Sequence, residues 1–304
     1  MVSASAQLFS IIIGIYNDWS PLDRCLQSLD QQVAAPKFEV IIVDDGSDEP
    51  APQYIQDSNR SYPLTIVCQP HAGLAAARNR GIQTCGGSIF VFVDADCRLD
   101  QSCLARLAGV INSSPDHNCF QLHLVGHYDG LVGRAENLRL ATLQSHLLGS
   151  DGCIRYLNTA GAAVRRDGVN VKNGVFDPRA LRAQDTLLLA EFLQGGESPL
   201  FVESATVQHY VALSLKQYLL KTARSAFTEG ETYDLIALKG VTVRVSYGER
   251  LKMMLKMWRM AGQCSTGRAA WFVTVAKQVL SLLGSYTYRC VRFAHPVDND
   301  GVRS

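Results

Sequence analysis

In the run Phe38-Glu39-Val40-Ile41-Ile42-Val43-Asp44-Asp45-Gly46-Ser47-Asp48, a mostly apolar, β-branched segment gives way at once to acids, glycine and serine. An unbroken apolar run of this length reads as a strand buried on both faces, the situation of a parallel sheet. The Asp, Gly and Ser that stop it are turn formers. Polar groups are thereby delivered to the carboxyl end of a buried strand.

The same pattern recurs on either side. Upstream, residues 9–15 form an apolar run ending in Tyr16-Asn17, and residues 21–32 carry helical spacing with Leu22, Cys25, Leu26 and Leu29 on one face. Downstream, residues 64–68 read as a third strand and residues 73–84 as an Ala-rich helix stopped by Gly86-Gly87. Residues 89–93 read as a fourth strand, ending in Asp94-Ala95-Asp96. This alternation predicts an α/β fold with a mostly parallel, Rossmann-like sheet flanked by helices. Ligands of such sheets bind outside the carboxyl ends of the strands, where Tyr16-Asn17, Asp44-Asp45 and Asp94-Asp96 all fall.

Composition narrows the function. With 304 residues the chain buries a sizeable core, and 29 Lys and Arg against 28 Asp and Glu provide no broad field for nucleic acid. Nine cysteines stand singly, without metal-ribbon or disulfide spacing, which fits a reducing, cytoplasmic setting. Residues 1–7 lack a basic leader and residues 8–15 are too short for a signal core, so secretion is not expected. The most apolar stretch, residues 269–288, is interrupted by Lys277 and Gln278 and is not expected to span a membrane.

Two carboxylates one residue apart at a strand end, as in Asp94-Ala95-Asp96, can share a hard divalent cation and a ribose hydroxyl. Taken alone, the motif is more often a solvated turn. Its neighbours decide the matter. Ile-Ile-Gly-Ile-Tyr-Asn at 12–17, Val-Asp-Asp-Gly-Ser at 43–47, Gly-Leu-Ala-Ala-Ala-Arg-Asn-Arg-Gly at 73–81 and Val-Asp-Ala-Asp at 93–96 occur in order. Together they resemble glycosyltransferase family 2, an inverting family with a GT-A fold, over residues 9 to about 210.

That resemblance implies roles. Tyr16 would stack near a nucleobase, Asp44 and Asp45 would hydrogen-bond base or ribose, and Arg78 would approach the donor near its diphosphate. Asn17 and Ala95 fall within the same donor-contacting pieces. Asp96 would bind Mn²⁺ or Mg²⁺ directly, with Asp94 assisting, and His209 sits where several members complete the metal shell.

In the acceptor half, Asn158-Thr159-Ala160-Gly161-Ala162 and Arg165-Arg166-Asp167 correspond more loosely to the segment beneath the sugar. Asn173-Gly174-Val175-Phe176-Asp177 and Ala183-Gln184-Asp185-Thr186-Leu187 resemble the elements leading to the general base, and Asp185 aligns with that base. Gln184 stands where the family usually has Glu, and Pro178 replaces an acid. An acid in the first turn of a helix is also favoured by the helix dipole alone.

The expected protein is an inverting glycosyltransferase that moves a sugar from a nucleoside-diphosphate sugar, a UDP-sugar by family habit, to a hydroxyl of a glycan, lipid-linked or other acceptor. The alternative is a catalytically silent nucleotide-sugar-binding partner of a larger assembly, motivated by Gln184 and Pro178. A dehydrogenase is disfavoured because Gly14 stands alone, and no Walker lysine motif occurs. The expected division is a GT-A domain over residues 1–210, with donor half 9–110 and acceptor half 111–210, and a helical extension over 211–304. That extension mixes Leu219, Leu220, Met253, Met254 and Trp258 with Lys and Arg. It either packs on the main domain or touches the inner face of a membrane peripherally.

Overall fold

The computed structural model describes residues 8–56, 59–127, 129–243, 245–262 and 267–294; residues 1–7, read above for a targeting signal, lie outside them. The strands are β1 (Phe9–Ile15), β2 (Phe38–Asp44), β3 (Leu64–Cys68), β4 (Ile89–Val93), β5 (Cys97–Leu99), β6 (Cys119–Gly126), β7 (Gly161–Arg165) and β8 (Leu200–His209). The helices are α1 (Leu22–Asp30), α2 (Gln53–Gln56), α3 (Leu74–Thr84), α4 (Cys103–Ser113), α5 (Gly130–Leu147), α6 (Gln184–Gln194), α7 (Leu215–Leu238), α8 (Tyr247–Ala261) and α9 (Gly267–Ala294).

Eight strands form one sheet in the order β3-β2-β1-β4-β7-β6-β8-β5. The four strands anticipated from apolar runs are the parallel half, with Ile13 opposite Ile42 and Ile12 opposite Phe92. Beyond β4 the sheet is mixed: β7 runs antiparallel to β4 and β6, β8 parallel to β6, and β5 antiparallel to β8. Residues 112–157, irregular in the sequence pattern, contain β6 and the 18-residue α5.

The absence of alternation in β1 has a direct cause. Successive strand side chains point to opposite faces. Ile11 and Ile13 enter the core shared with Leu22 and Leu26 of α1, whereas Ile12 enters the one beneath α3 and α6. Both faces are covered, so both sets of positions are apolar. Gly81 lets α3 approach closely, since a Cβ there would lie 2.6 Å from Ile12 Cγ2.

Helices α7 and α8 begin at capping boxes, Ser214 with Gln217 and Ser246 with Glu249, which fix their first turns. The C-terminal helices rest mainly on α5 and α6: α9 and α8 lie on α5, and α7 lies on α6 and also touches α5.

Candidate active site

The ends of β1, β2 and β4 build the donor side of the crevice. Tyr16 leaves β1 about half exposed, with one face stacked on His71 at a ring separation of 4.0 Å. Asn17 has φ +56°, a left-handed conformation that Asn tolerates, and its side chain accepts from Asp48 N at 2.7 Å. Ser47 Oγ accepts from Asn17 N, so Asn17 ties the first two strand ends together.

Asp44 and Asp45 are both buried. Asp44 Oδ1 accepts from Ser47 N, shaping the turn. Asp45 accepts from Gln69 Nε2, Ala72 N and Gly73 N, and His71 Nδ1 lies 2.9 Å from its Oδ2. Its carboxylate organises the entry to α3, where Gly73 adopts φ +90°.

Arg78 projects from α3 and is 97% buried, donating from Nη2 to Asp94 Oδ1 at 2.9 Å. Its Nη1 is buried without a hydrogen-bond partner. A buried unsatisfied donor is costly, and at a cleft wall it marks a place for an acceptor atom. Arg78 and Asp94 line a cavity of about 430 Å³ together with Arg139, Gln184, Asp185 and Glu229. Asn158 and Thr159 line the same cavity.

Asp185 reaches the cavity from the first turn of α6. Ala183, immediately before that helix, has φ +52°, a strained value for a residue with a Cβ, of the kind that accumulates at functional sites. Burial above all raises the pKa of Asp185 above the ordinary aspartate value, Arg78 opposes the rise, and Thr186 N donates to Oδ1 at 2.7 Å. A carboxylate so placed is a stronger base than one in water.

Asp96 stands on the other flank. Pairing of β5 with β8 sets Cys97 opposite His209, which brings His209 Nε2 to 3.4 Å from Asp96 Oδ1. Asp96, Cys97 and His209 form a group whose ligand atoms lie within 4.8 Å of one another. Burial pushes the Cys97 thiol well above its usual pKa, and its sulfur is the softest donor beside carboxylate oxygen and imidazole nitrogen. That oxygen and nitrogen pair could serve a divalent cation. Burial works against the charge of both groups, yet their mutual contact lowers the pKa of Asp96 and raises that of His209. Asp94 is outside this group and turns to Arg78. Ala95 is nearly buried in the intervening turn.

Other residues are structural or were unforeseen. Arg165 and Arg166 donate to backbone carbonyls of His117, Ile111, Gly87 and Cys85, which staple strand ends. Asp177 pairs with Arg179 and does not line the cavity. Arg139, Glu229 and His71 carried no strand-end signal, since each comes from a helix or loop brought in by tertiary packing.

The strand-end order coincides with a match to the family model for glycosyl transferase family 2 over residues 10–170, more than half of the chain, while Asp185 and His209 lie beyond the matched residues. The chain belongs to glycosyltransferase family 2. Among family relatives it is 30% identical over 116 residues to glycosyltransferase AglE of Haloferax volcanii, covering 37% of this chain and 38% of that protein. It is 34% identical over 113 residues to an uncharacterized glycosyltransferase of Haemophilus influenzae, covering 36% and 37%. These matches thus span little more than a third of the relatives' lengths.

The fold of this family 2 chain is that of GT-A proteins. It resembles mannosyltransferase PcManGT of Pyrobaculum calidifontis, solved with GDP-Man and Mn²⁺, with a TM-score of 0.64, 14% identity and coverage of 93% and 88%. The S. aureus TarS fragment 1–349, solved with UDP, gives a TM-score of 0.52 at 16% identity, covering 96% of this chain and 94% of that one.

Proposed function

We propose that this protein transfers a sugar from a nucleoside-diphosphate sugar, with UDP-sugars the first candidates, to an acceptor hydroxyl with inversion. The observation that carries this reading is the single cavity shared by Asp185, Arg78 and Asp94, with the Asp96–His209 pair on its flank at the same strand ends. Neighbours of the same fold solved with UDP or with GDP-Man and Mn²⁺ lend support to a nucleotide-sugar donor and a divalent ion.

In this mechanism Asp185 accepts the proton of the acceptor hydroxyl as its oxygen attacks the anomeric carbon from the face opposite the leaving diphosphate. One displacement inverts that carbon. Arg78 offers Nη1 to the charge growing on the diphosphate, and Asp94 fixes the guanidinium through Nη2. Asp96 and His209 would hold the divalent ion, which supplies Lewis-acid neutralisation of the diphosphate when bound. The diphosphate leaves without a protein acid. Tyr16 takes the base on its exposed face, and buried Asp44 and Asp45 hold the loops that frame it.

The deciding experiment is a thermal-shift screen with UDP, GDP, TDP and CMP, with and without Mn²⁺, since a ligand of the folded state raises its apparent stability. A rise with one diphosphate that needs Mn²⁺ and disappears in Asp96→Ala supports the reading. Binding without transfer or donor hydrolysis would favour the silent partner, and no rise with any nucleotide would overturn both.

A further inference from the structure

Helix α8 has three distinct faces. Met253, Met257 and Ala261 are buried, and Lys252 and Arg259 are exposed. Tyr247, Leu251, Leu255 and Trp258 form a third, apolar stripe in solvent, with Leu251 60% and Leu255 55% exposed. The spacing i, i+4, i+8, i+11 keeps these four within one narrow arc of the helix.

Helix α9 repeats the arrangement. Phe272, Val279, Leu283 and Tyr286 are all exposed, Phe272 at 62% and Tyr286 at 68%. Their spacing of i, i+7, i+11, i+14 again selects one face, a stripe about 21 Å long. The two stripes join through aromatic rings: Trp258 lies 4.8 Å from Trp271, and Trp271 lies 5.1 Å from Phe272. Arg268 places its guanidinium 5.4 Å from the Trp258 ring at this junction. An exposed apolar surface of this continuity marks an interaction site.

Charge selects the occupant. Within α8 four cations accompany one acid, and α9 has no acid, with exposed Arg268 at the aromatic junction and Lys277 turned inward to Glu136. The single acid, Glu249, is paired with Arg155 at 2.8 Å. A second copy would set like charges against one another, which opposes self-association. An anionic surface answers both the cations and the apolar stripe, and Trp and Arg together suit the boundary between headgroups and hydrocarbon.

We propose that α8 and α9 lie in the plane of an anionic bilayer surface, with the apolar stripe inserted and exposed Lys252, Arg259 and Arg268 among the headgroups. Among the described residues no helix is long and apolar enough to cross a membrane, so the contact is an in-plane one. Arg250, in the first turn of α8, lines the same cavity as Asp185. The proposed surface therefore adjoins the mouth of the cleft, although the proposal stands whether or not that cleft transfers sugar.

The test is co-sedimentation of the full chain with vesicles of phosphatidylcholine alone and of phosphatidylcholine mixed with phosphatidylglycerol. The protein is expected to pellet with the anionic vesicles, not with the neutral ones, and to be released by salt. Leu255→Glu with Phe272→Glu, and separately Lys252→Glu with Arg259→Glu, should each weaken binding by about tenfold or more. All four positions are exposed, so unchanged melting temperatures would confirm intact variants. Failure to bind anionic vesicles, equal binding to neutral ones, or variants that bind undiminished would overturn the proposal. So would analytical ultracentrifugation showing that the apolar pair instead dissolves a dimer.

Discussion

His209 Nε2 lies 3.4 Å from Asp96 Oδ1 across 113 residues of chain, because the short antiparallel pairing of β5 with β8 sets Cys97 opposite His209. The contact joins the strand-end acid of the donor half to the last residue of the last strand. If the pair holds a divalent ion, Asp96→Ala and His209→Ala should each remove the Mn²⁺-dependent part of the thermal stabilisation. At a metal concentration a hundred times its Kd that part is about 2.7 kcal/mol. Cys97→Ser should retain it, because a hard divalent ion prefers carboxylate oxygen to sulfur. Titration calorimetry with Mn²⁺ measures the same difference directly, and wild-type affinity in His209→Ala would exclude the imidazole as a ligand.

Asp185→Asn separates catalysis from folding. Asn keeps the acceptor oxygen that Thr186 N uses but cannot take a proton. Transfer should fall by about 10²–10⁴-fold with nucleotide affinity unchanged. Stability should move the other way. The folded-state pKa of Asp185 is raised by burial, so the folded state disfavours its charge and loses stability as pH climbs through that interval. The variant should therefore melt higher than wild type at neutral pH and equally below the ordinary aspartate range. A variant with wild-type turnover would remove Asp185 from the mechanism.

If Asp185 is the base, Arg78 should set the acid limb of the activity profile. Its charge opposes the burial-driven rise in the pKa of Asp185. Arg78→Gln removes that opposition, so the base would stay protonated to higher pH. The acid-side midpoint of kcat should move upward, and nucleoside-diphosphate affinity should fall because Nη1 and its charge are gone. A midpoint that stays fixed would mean that another group, with half-buried Glu229 the first suspect on the same cavity, governs the limb.

The parallel half of the sheet was readable because burial on both faces leaves an unmistakable run in strands such as β1 and β4. Their carboxyl ends announced Asp44, Asp45, Asp94 and Asp96 for the same reason. The starts of α7 and α8 carry capping boxes at Ser214 and Ser246, a local signal that the reading from apolar spacing did not use. The mixed half was not legible in this way. Strand β6 carries Gln121 fully buried and bonded to the Gly161 carbonyl, a polar residue that breaks the apolar signature yet is satisfied by tertiary structure. Glu229 and Arg139 enter the cavity only because helices distant in sequence pack over it. No local pattern encodes that approach.

Glu136 provides the test of how those helices are held. It is buried on α5 and meets Arg139, accepts from Tyr218 Oη at 2.9 Å and faces Lys277 Nζ at 3.2 Å, so one carboxylate joins α5 to α7 and α9. Burial resists its charge, but Arg139 and Lys277 prevail and hold its pKa well below the ordinary glutamate value. Glu136→Gln leaves those cations facing an uncharged partner, and breaking such a pair should cost about 3 kcal/mol at neutral pH. A depressed folded-state pKa contributes stability that is complete above the unfolded value and lost as pH falls through the folded one. The difference in urea-unfolding free energy between wild type and variant should therefore be widest at neutral pH and shrink on acidification. A difference independent of pH would show that packing around the side chain, and not its charge, binds the three helices.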